Sequence, residues 1–143
     1  MKTLTKSTEG ELKKLAEIYM TEFSKPPFNE NWTIKKALTK MKEFQKNYDL
    51  YTIKDREIRG FIVVNPNFMC PGEVAFGEEM AIKEQFQNQG YGTWTFKQIF
   101  KIYKKKGYKS FLAISNKTSR ANKLYKRLGI LPCKENVLIE KEL

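Results

Sequence analysis

Histidine is absent from all 143 residues. That absence removes His-based metal sites, Ser-His and Cys-His nucleophile activation, and an imidazole general base. Acid–base chemistry falls to Glu, Asp, Tyr, Lys, Cys or ordered water, and no metal is expected. Cysteine is scarce. Cys70 and Cys133 stand far apart without a CxxC pair, which predicts two reduced, mostly packed thiols in a reducing compartment. No apolar run approaches the ~18 residues that span a bilayer, so no membrane association is expected. Met1-Lys2-Thr3-Leu4-Thr5-Lys6 lacks the apolar core of a leader peptide, and a cytoplasmic location follows. Arginine is also rare, at 4 of the 27 basic residues. Readers of base sequence lean on its bidentate fork, so its rarity argues against a nucleic-acid partner.

The most informative absence is acidic. Between Glu84 and Glu135 there is no Asp or Glu, while residues 85–134 carry 12 Lys and Arg. Residues 1–84 hold 14 basic and 13 acidic side chains, so the net charge of +11 belongs almost wholly to the later half. The acid-free stretch opens on Gln87-Asn88-Gln89-Gly90-Tyr91-Gly92. A glycine turn running into a helix offers close backbone approach, free N–H groups and a favourable helix dipole. Together with the surrounding cations, this describes a site for a phosphorylated ligand. No GxxxxGK[ST] occurs, and the three-glycine dinucleotide spacing with its later acid is missing.

The length suits one domain, residues 1–143, around a single core. Thr8 with Glu11 forms a capping box, and Leu12, Leu15, Ala16, Tyr19 and Phe23 then recur at helical spacing, predicting a helix over residues 9–23. Tandem Pro26-Pro27 demands a loop through Trp32. Thr33 caps a second helix with Ala37, Leu38, Met41 and Phe44 inward. Leu50–Ile53 and Gly60–Val64 read as a hairpin about Asp55-Arg56-Glu57, and residues 74–82 as a third strand. A helix follows from about Gly90 to Lys106, with Phe96, Ile99, Phe100 and Tyr103 on one face and Gly107 closing it. Phe111–Ile114 reads as a buried parallel strand. Ser119 caps a last helix closed by Gly129, and residues 135–141 offer a terminal strand. The order is that of a single mixed α/β domain.

The segments Glu79-Met80-Ala81-Ile82 and Gln87-Asn88-Gln89-Gly90-Tyr91-Gly92-Thr93 resemble motif A of the GNAT superfamily of acetyl-CoA-dependent N-acetyltransferases, whose signature is Q/R-x-x-G-x-G/A. Ala121-Asn122-Lys123-Leu124-Tyr125-Lys126-Arg127-Leu128-Gly129-Ile130 is similar to the family's A-x-x-L-Y-x-x-x-G-F segment, at the expected distance. The resemblance implies a mixed, mostly antiparallel sheet with splayed central parallel strands, flanked by about four helices. It implies acetyl-CoA as co-substrate, an amine acceptor that is a small molecule or a peptide, and a homodimer as one open arrangement.

Residue by residue, it implies that main-chain groups of Met80, Ala81 and Ile82 line the pantetheine arm. N–H groups of Gln87, Asn88, Gln89, Gly90, Tyr91, Gly92 and Thr93 would hold the pyrophosphate. Tyr125 would protonate the departing thiolate, as a phenol of pKa ~10 can do while neutral. The family's usual asparagine seven residues before that tyrosine is Thr118 here, flanked by Asn116 and Asn122, so all three are candidates for a cofactor hydrogen bond. Ile130 replaces a usual Phe. Where some members carry a glutamate in the strand after the first motif helix, this chain has Ala113.

The general base must then come from elsewhere, with Glu79 first and Glu78 second. Side chains alternate along a strand, so one of the pair should enter the cleft. Phe28, Glu30 and Trp32 occupy the loop where the family builds its acceptor wall, and exposed aromatics beside a carboxylate suit a cationic amine. A plain hydrophobic staple between the first two helices explains the same loop equally well. The alternative to an enzyme is a non-catalytic acyl-CoA-binding module, which would need neither Tyr125 nor the paired glutamates.

Overall fold

The computed structural model describes residues 1–143. β1 (Thr3–Lys6) leads to a short 3-10 turn and α1 (Leu12–Phe23), then α2 (Ile34–Asn47). The hairpin of β2 (Asp49–Asp55) and β3 (Glu57–Asn65) precedes β4 (Val74–Ile82) and α3 (Tyr91–Lys105). β5 (Ser110–Ala113) and α4 (Arg120–Arg127) complete the order. The sheet runs β1-β2-β3-β4-β5, antiparallel throughout except for the parallel β4–β5 pair. This is the mixed α/β sheet expected, with four helices around it. No helix is long and apolar enough to cross a membrane.

Local chemistry explains the boundaries. The Thr33 side chain accepts the Lys36 N–H and starts α2, and Ser119 does the same for Asn122 at α4. Arg56 takes φ 68° in the tight β2–β3 turn, and Gly107 takes φ 90° where α3 ends. The sheet then separates two cores. Leu15, Tyr19, Met41 and Phe44 from α1 and α2 pack on Leu50, Phe61, Val63 and Ala81. On the other face Phe96, Ile99 and Tyr103 of α3 pack on Tyr51, Ile62, Val64 and Ala75, with Leu124 and Tyr125 of α4 beside them.

Three expectations fail. Residues 135–141 form no strand, and Val137, Leu138 and Ile139 are 84%, 78% and 87% exposed. The apolar run Val137-Leu138-Ile139, β-branched at both ends, suits a strand but does not supply a partner, and four-residue β5 offers a short ladder. Phe111–Ile114 is consequently a half-exposed edge rather than a buried strand, and Ile114 is outside β5. Both thiols, Cys70 and Cys133, are exposed rather than packed. β1 was not legible either, because four residues with two charged or polar neighbours give almost no period.

Candidate active site

The sheet opens at one place. β4 and β5 pair from Val74↔Ser110 to Gly77↔Ala113 and then part. At the same point the β3–β4 register slips: Val64 faces Gly77 while Val63 faces Glu79, leaving Glu78 as the extra residue of a bulge. The bulge bends β4 away from β5, so Glu78–Ile82 keep β3 on one edge and leave the other edge without a strand. Gly77 lets this happen. The Phe111 ring lies so close that a Cβ added at Gly77 would sit 2.6 Å from its Cζ.

Because the split passes through the sheet, side chains from both faces meet in it. Glu79 pairs with Val63 and lies on the α1/α2 face, where the Tyr19 hydroxyl donates to its Oε1 at 3.4 Å. Tyr125 arrives from the α3/α4 face, edge-on to Phe96 with centroids 5.3 Å apart. A pocket of ≈ 70 Å³ at the split is lined by Glu78, Glu79, Met80, Phe111, Asn116 and Tyr125, together with Phe28 of the loop after α1. Both glutamates reach it. Strict alternation predicted only one, and the bulge at Glu78 is what breaks the alternation. Glu78 is held separately by the Asn65 amide, which donates at 3.3 Å.

Burial pushes the Glu79 carboxyl up to about 7, and the negative charge of Glu30 adds to it; the Tyr19 hydrogen bond and Lys40 pull the other way. Burial also pushes the Tyr125 phenol up to about 12, helped by the charge of Glu79. The site therefore sets a carboxyl that exchanges its proton near neutrality beside a phenol that keeps its own.

A second, open groove of ≈ 620 Å³ joins the pocket through Phe23, Phe28, Met80, Ser119 and Ala121. Its floor is Met80, Ala81 and Ile82, and its end is the glycine loop. There Gln87, Asn88, Gly90, Tyr91, Gly92 and Thr93 line it, faced by Arg120, Lys123 and Arg127 of α4. The N–H of Gln87 bonds the Glu84 carbonyl, but the N–H groups of Asn88, Gln89, Gly90, Tyr91, Gly92 and Thr93 have no acceptor within the chain. Asn88 at φ 61° and Gly90 at φ 85° turn the loop into the helix start. Six consecutive free donors under a helix N-terminus form an anion cradle.

The Gln87 side chain has a different task. Its Nε2 donates to Glu22 Oε1 at 2.6 Å and to the Ile82 carbonyl at 2.8 Å, and its Oε1 accepts from Arg120 at 3.0 Å. It ties α1, the end of β4 and α4 together around the groove. Lys25 adds a second tie through Glu22 at 2.9 Å and Glu84 at 3.2 Å. The Tyr91 ring is buried, its hydroxyl on Asp55 at 2.9 Å, so only its main chain can serve a ligand.

Several expected residues sit apart. The Gln89 amide donates to the Gln85 carbonyl at 2.9 Å. Thr118 turns its hydroxyl to Asn116 at 2.8 Å, and Asn122 is engaged with Ser115 and the Lys117 carbonyl. Of those three, Asn116 alone lines the pocket. Trp32 packs edge-on against Tyr19 at 4.6 Å with its Nε1 buried and unpartnered, and it lines neither cavity. Phe28 lines both cavities, and Glu30 acts on Glu79 through its charge. Arg120 and Lys123 belong to the acid-free, cationic stretch that the sequence places around a phosphorylated ligand. Tyr19, Glu22 and Lys25 carry no such signal, since Tyr19 has the spacing of a core position of α1 and the other two are single charges at its end.

The split parallel pair thus carries free N–H groups at one end of a continuous groove and a glutamate and a tyrosine in its gap. Comparison with known proteins gives the family. The model of the acetyltransferase (GNAT) family matches residues 12–130, and the chain belongs to that family. No curated protein matches the chain. Among solved structures, an acetyltransferase described as possible from Clostridium difficile 630 superposes with TM-score 0.82 at 11% identity, covering 100% of this chain and 99% of that one. A transcriptional regulator from Bacillus halodurans C-125 gives TM-score 0.77 at 20% identity over 99% and 100%. The aminoglycoside N-acetyltransferase AAC(6')-Iy, in complex with CoA, gives 0.74 at 13% over 100% and 96%. At these identities the likeness is one of fold.

Proposed function

We propose that the protein transfers an acetyl group from acetyl-CoA to a primary amine by direct attack in a ternary complex. The observation that carries this reading is the continuity of the groove. Free N–H groups of Asn88, Gly90, Tyr91, Gly92 and Thr93 lie at one end, the strand-free edge of β4 in the middle, and Glu79 with Tyr125 at the other end.

In this reading the N–H groups of Asn88 to Thr93 take the pyrophosphate, with Arg120 and Lys123 close by. Main-chain groups of Met80, Ala81 and Ile82 pair with the pantetheine arm in place of a strand, and an amide there polarises the thioester carbonyl. The acceptor enters past Phe28 as an ammonium ion, drawn by Glu30, Glu78 and Glu79. Glu79 takes one proton and frees the nitrogen lone pair. The nitrogen attacks the carbonyl carbon, the C–S bond breaks, and the sulfur takes its proton from Tyr125. One of the two remaining nitrogen protons is lost through solvent, restoring the phenol, and the other stays on the amide product. Asn116 is the one asparagine of the set positioned to bond this end of the ligand. Cys70 and Cys133 take no part, since both lie on the outer surface.

Thiol release from acetyl-CoA across a panel of polyamines, aminoglycosides, amino acids and peptides tests the reading. Turnover on at least one amine, with acetylated amine as product, is expected. Tight CoA binding without turnover on any amine would sink it in favour of a non-catalytic acyl-CoA-binding module.

A further inference from the structure

We infer that Tyr19, a residue of α1 outside both cavities, is the positioning residue of the base, its hydroxyl holding Glu79 Oε1 so that the second carboxylate oxygen faces the incoming amine. The inference rests on the acetyltransferase reading for its catalytic consequence, and on the geometry alone for the coupling.

Tyr19 is 2% exposed and locked by aromatic neighbours: Phe23 at 4.6 Å, Trp32 edge-on at 4.6 Å, and Phe61 stacked at 6.0 Å. Such a position asks for phenylalanine, because a phenol in an aromatic core must find a partner for its O–H. The only partner it has is Glu79 Oε1, sixty residues away in sequence. Burial and the charges of Glu79 and Glu30 keep the phenol neutral far above physiological pH, so it keeps the proton that it donates to the carboxylate. A donor to one oxygen fixes the carboxylate rotamer and favours its ionised form. The contact also runs through Trp32 into the loop that carries Phe28 and Glu30, so the base and the acceptor loop share one rigid support. The other groups facing Glu79 are Glu30 from that loop, Lys40 from α2, Glu78 from β4 and Tyr125 from α4. None of these donates a hydrogen bond to it.

Tyr19→Phe keeps the ring and removes the hydroxyl. The Glu79 carboxyl, followed by carbon-13 NMR titration of glutamate-labelled protein, should move its midpoint up by about one pH unit, the size one hydrogen bond to a charged group gives. The acid limb of kcat/KM should move by the same amount with KM for acetyl-CoA unchanged. Adding Tyr19→Phe to Glu79→Gln should cost nothing further. An unmoved midpoint, or a loss that persists undiminished in the double variant, overturns the inference. A midpoint that moves in a protein without turnover on any amine upholds the coupling and overturns only the acetyltransferase reading.

Discussion

At pH 8, Glu79→Gln should make the protein more stable and nearly inactive. The native carboxyl binds its proton more tightly than the unfolded chain does, since burial and Glu30 lift it from 4.5 to about 7. Its ionisation therefore works against folding. The penalty is absent below 4.5, grows as pH rises through the window between 4.5 and 7, and is complete above 7. At 1.36 kcal/mol per pKa unit the gap corresponds to about 3 kcal/mol, and partial solvation of this half-buried group trims it to about 2. Glutamine keeps the shape and never ionises. Urea unfolding should give a gain of about 2 kcal/mol at pH 8 that shrinks towards zero by pH 4.5.

Activity should respond in the opposite sense. Loss of a general base lowers kcat/KM by roughly 10²–10⁴-fold at pH 8. The amine itself also titrates, so the informative quantity is the ratio of wild-type to variant rate, in which that ionisation cancels. With a midpoint of about 7, the ionised fraction falls from about 90% at pH 8 to about 10% at pH 6, and the ratio should fall about tenfold. A carboxyl with an ordinary value would leave the ratio flat over that range. A flat ratio, or a variant less stable than wild type at pH 8, refutes the reasoning.

Tyr125→Phe should lower kcat by roughly 10²-fold with little change in acetyl-CoA binding, measured by calorimetry, because only the departing thiolate needs its proton. Gln87→Ala removes three hydrogen bonds that tie α1, β4 and α4 around the groove; KM for acetyl-CoA should rise several-fold while kcat holds, seen in initial rates. Gly60→Ala would place a Cβ 2.2 Å from the Ala81 carbonyl oxygen, so thermal unfolding should report a loss of about 2 kcal/mol or more.

The sequence marked the helices and β4 closely because each is long and periodic or carries a cap. Strand 74–82, the Thr33 and Ser119 caps and the Gly107 stop all stand where the residues put them. Short elements escaped: β1 has four residues, and the terminal segment holds an apolar run but has no ladder to join. In the candidate site, the glycine loop was legible because its chemistry is local, and Tyr125 was reached only through the resemblance of its segment to a family motif. The pairing of Glu78 and Glu79 in one pocket was not, since a bulge is a property of two strands and not of one. Tyr19 was hidden for the same reason. Its role depends on a partner sixty residues on, and within α1 it looks like any core aromatic.

The most direct test of the central claim is mass spectrometry of the amines after incubation with carbon-13 acetyl-CoA. The account predicts labelled N-acetyl product from at least one amine, formed at a rate that Glu79→Gln and Tyr125→Phe both suppress. Labelled product formed equally well by both variants, or CoA binding with no acetylated amine at all, would contradict it.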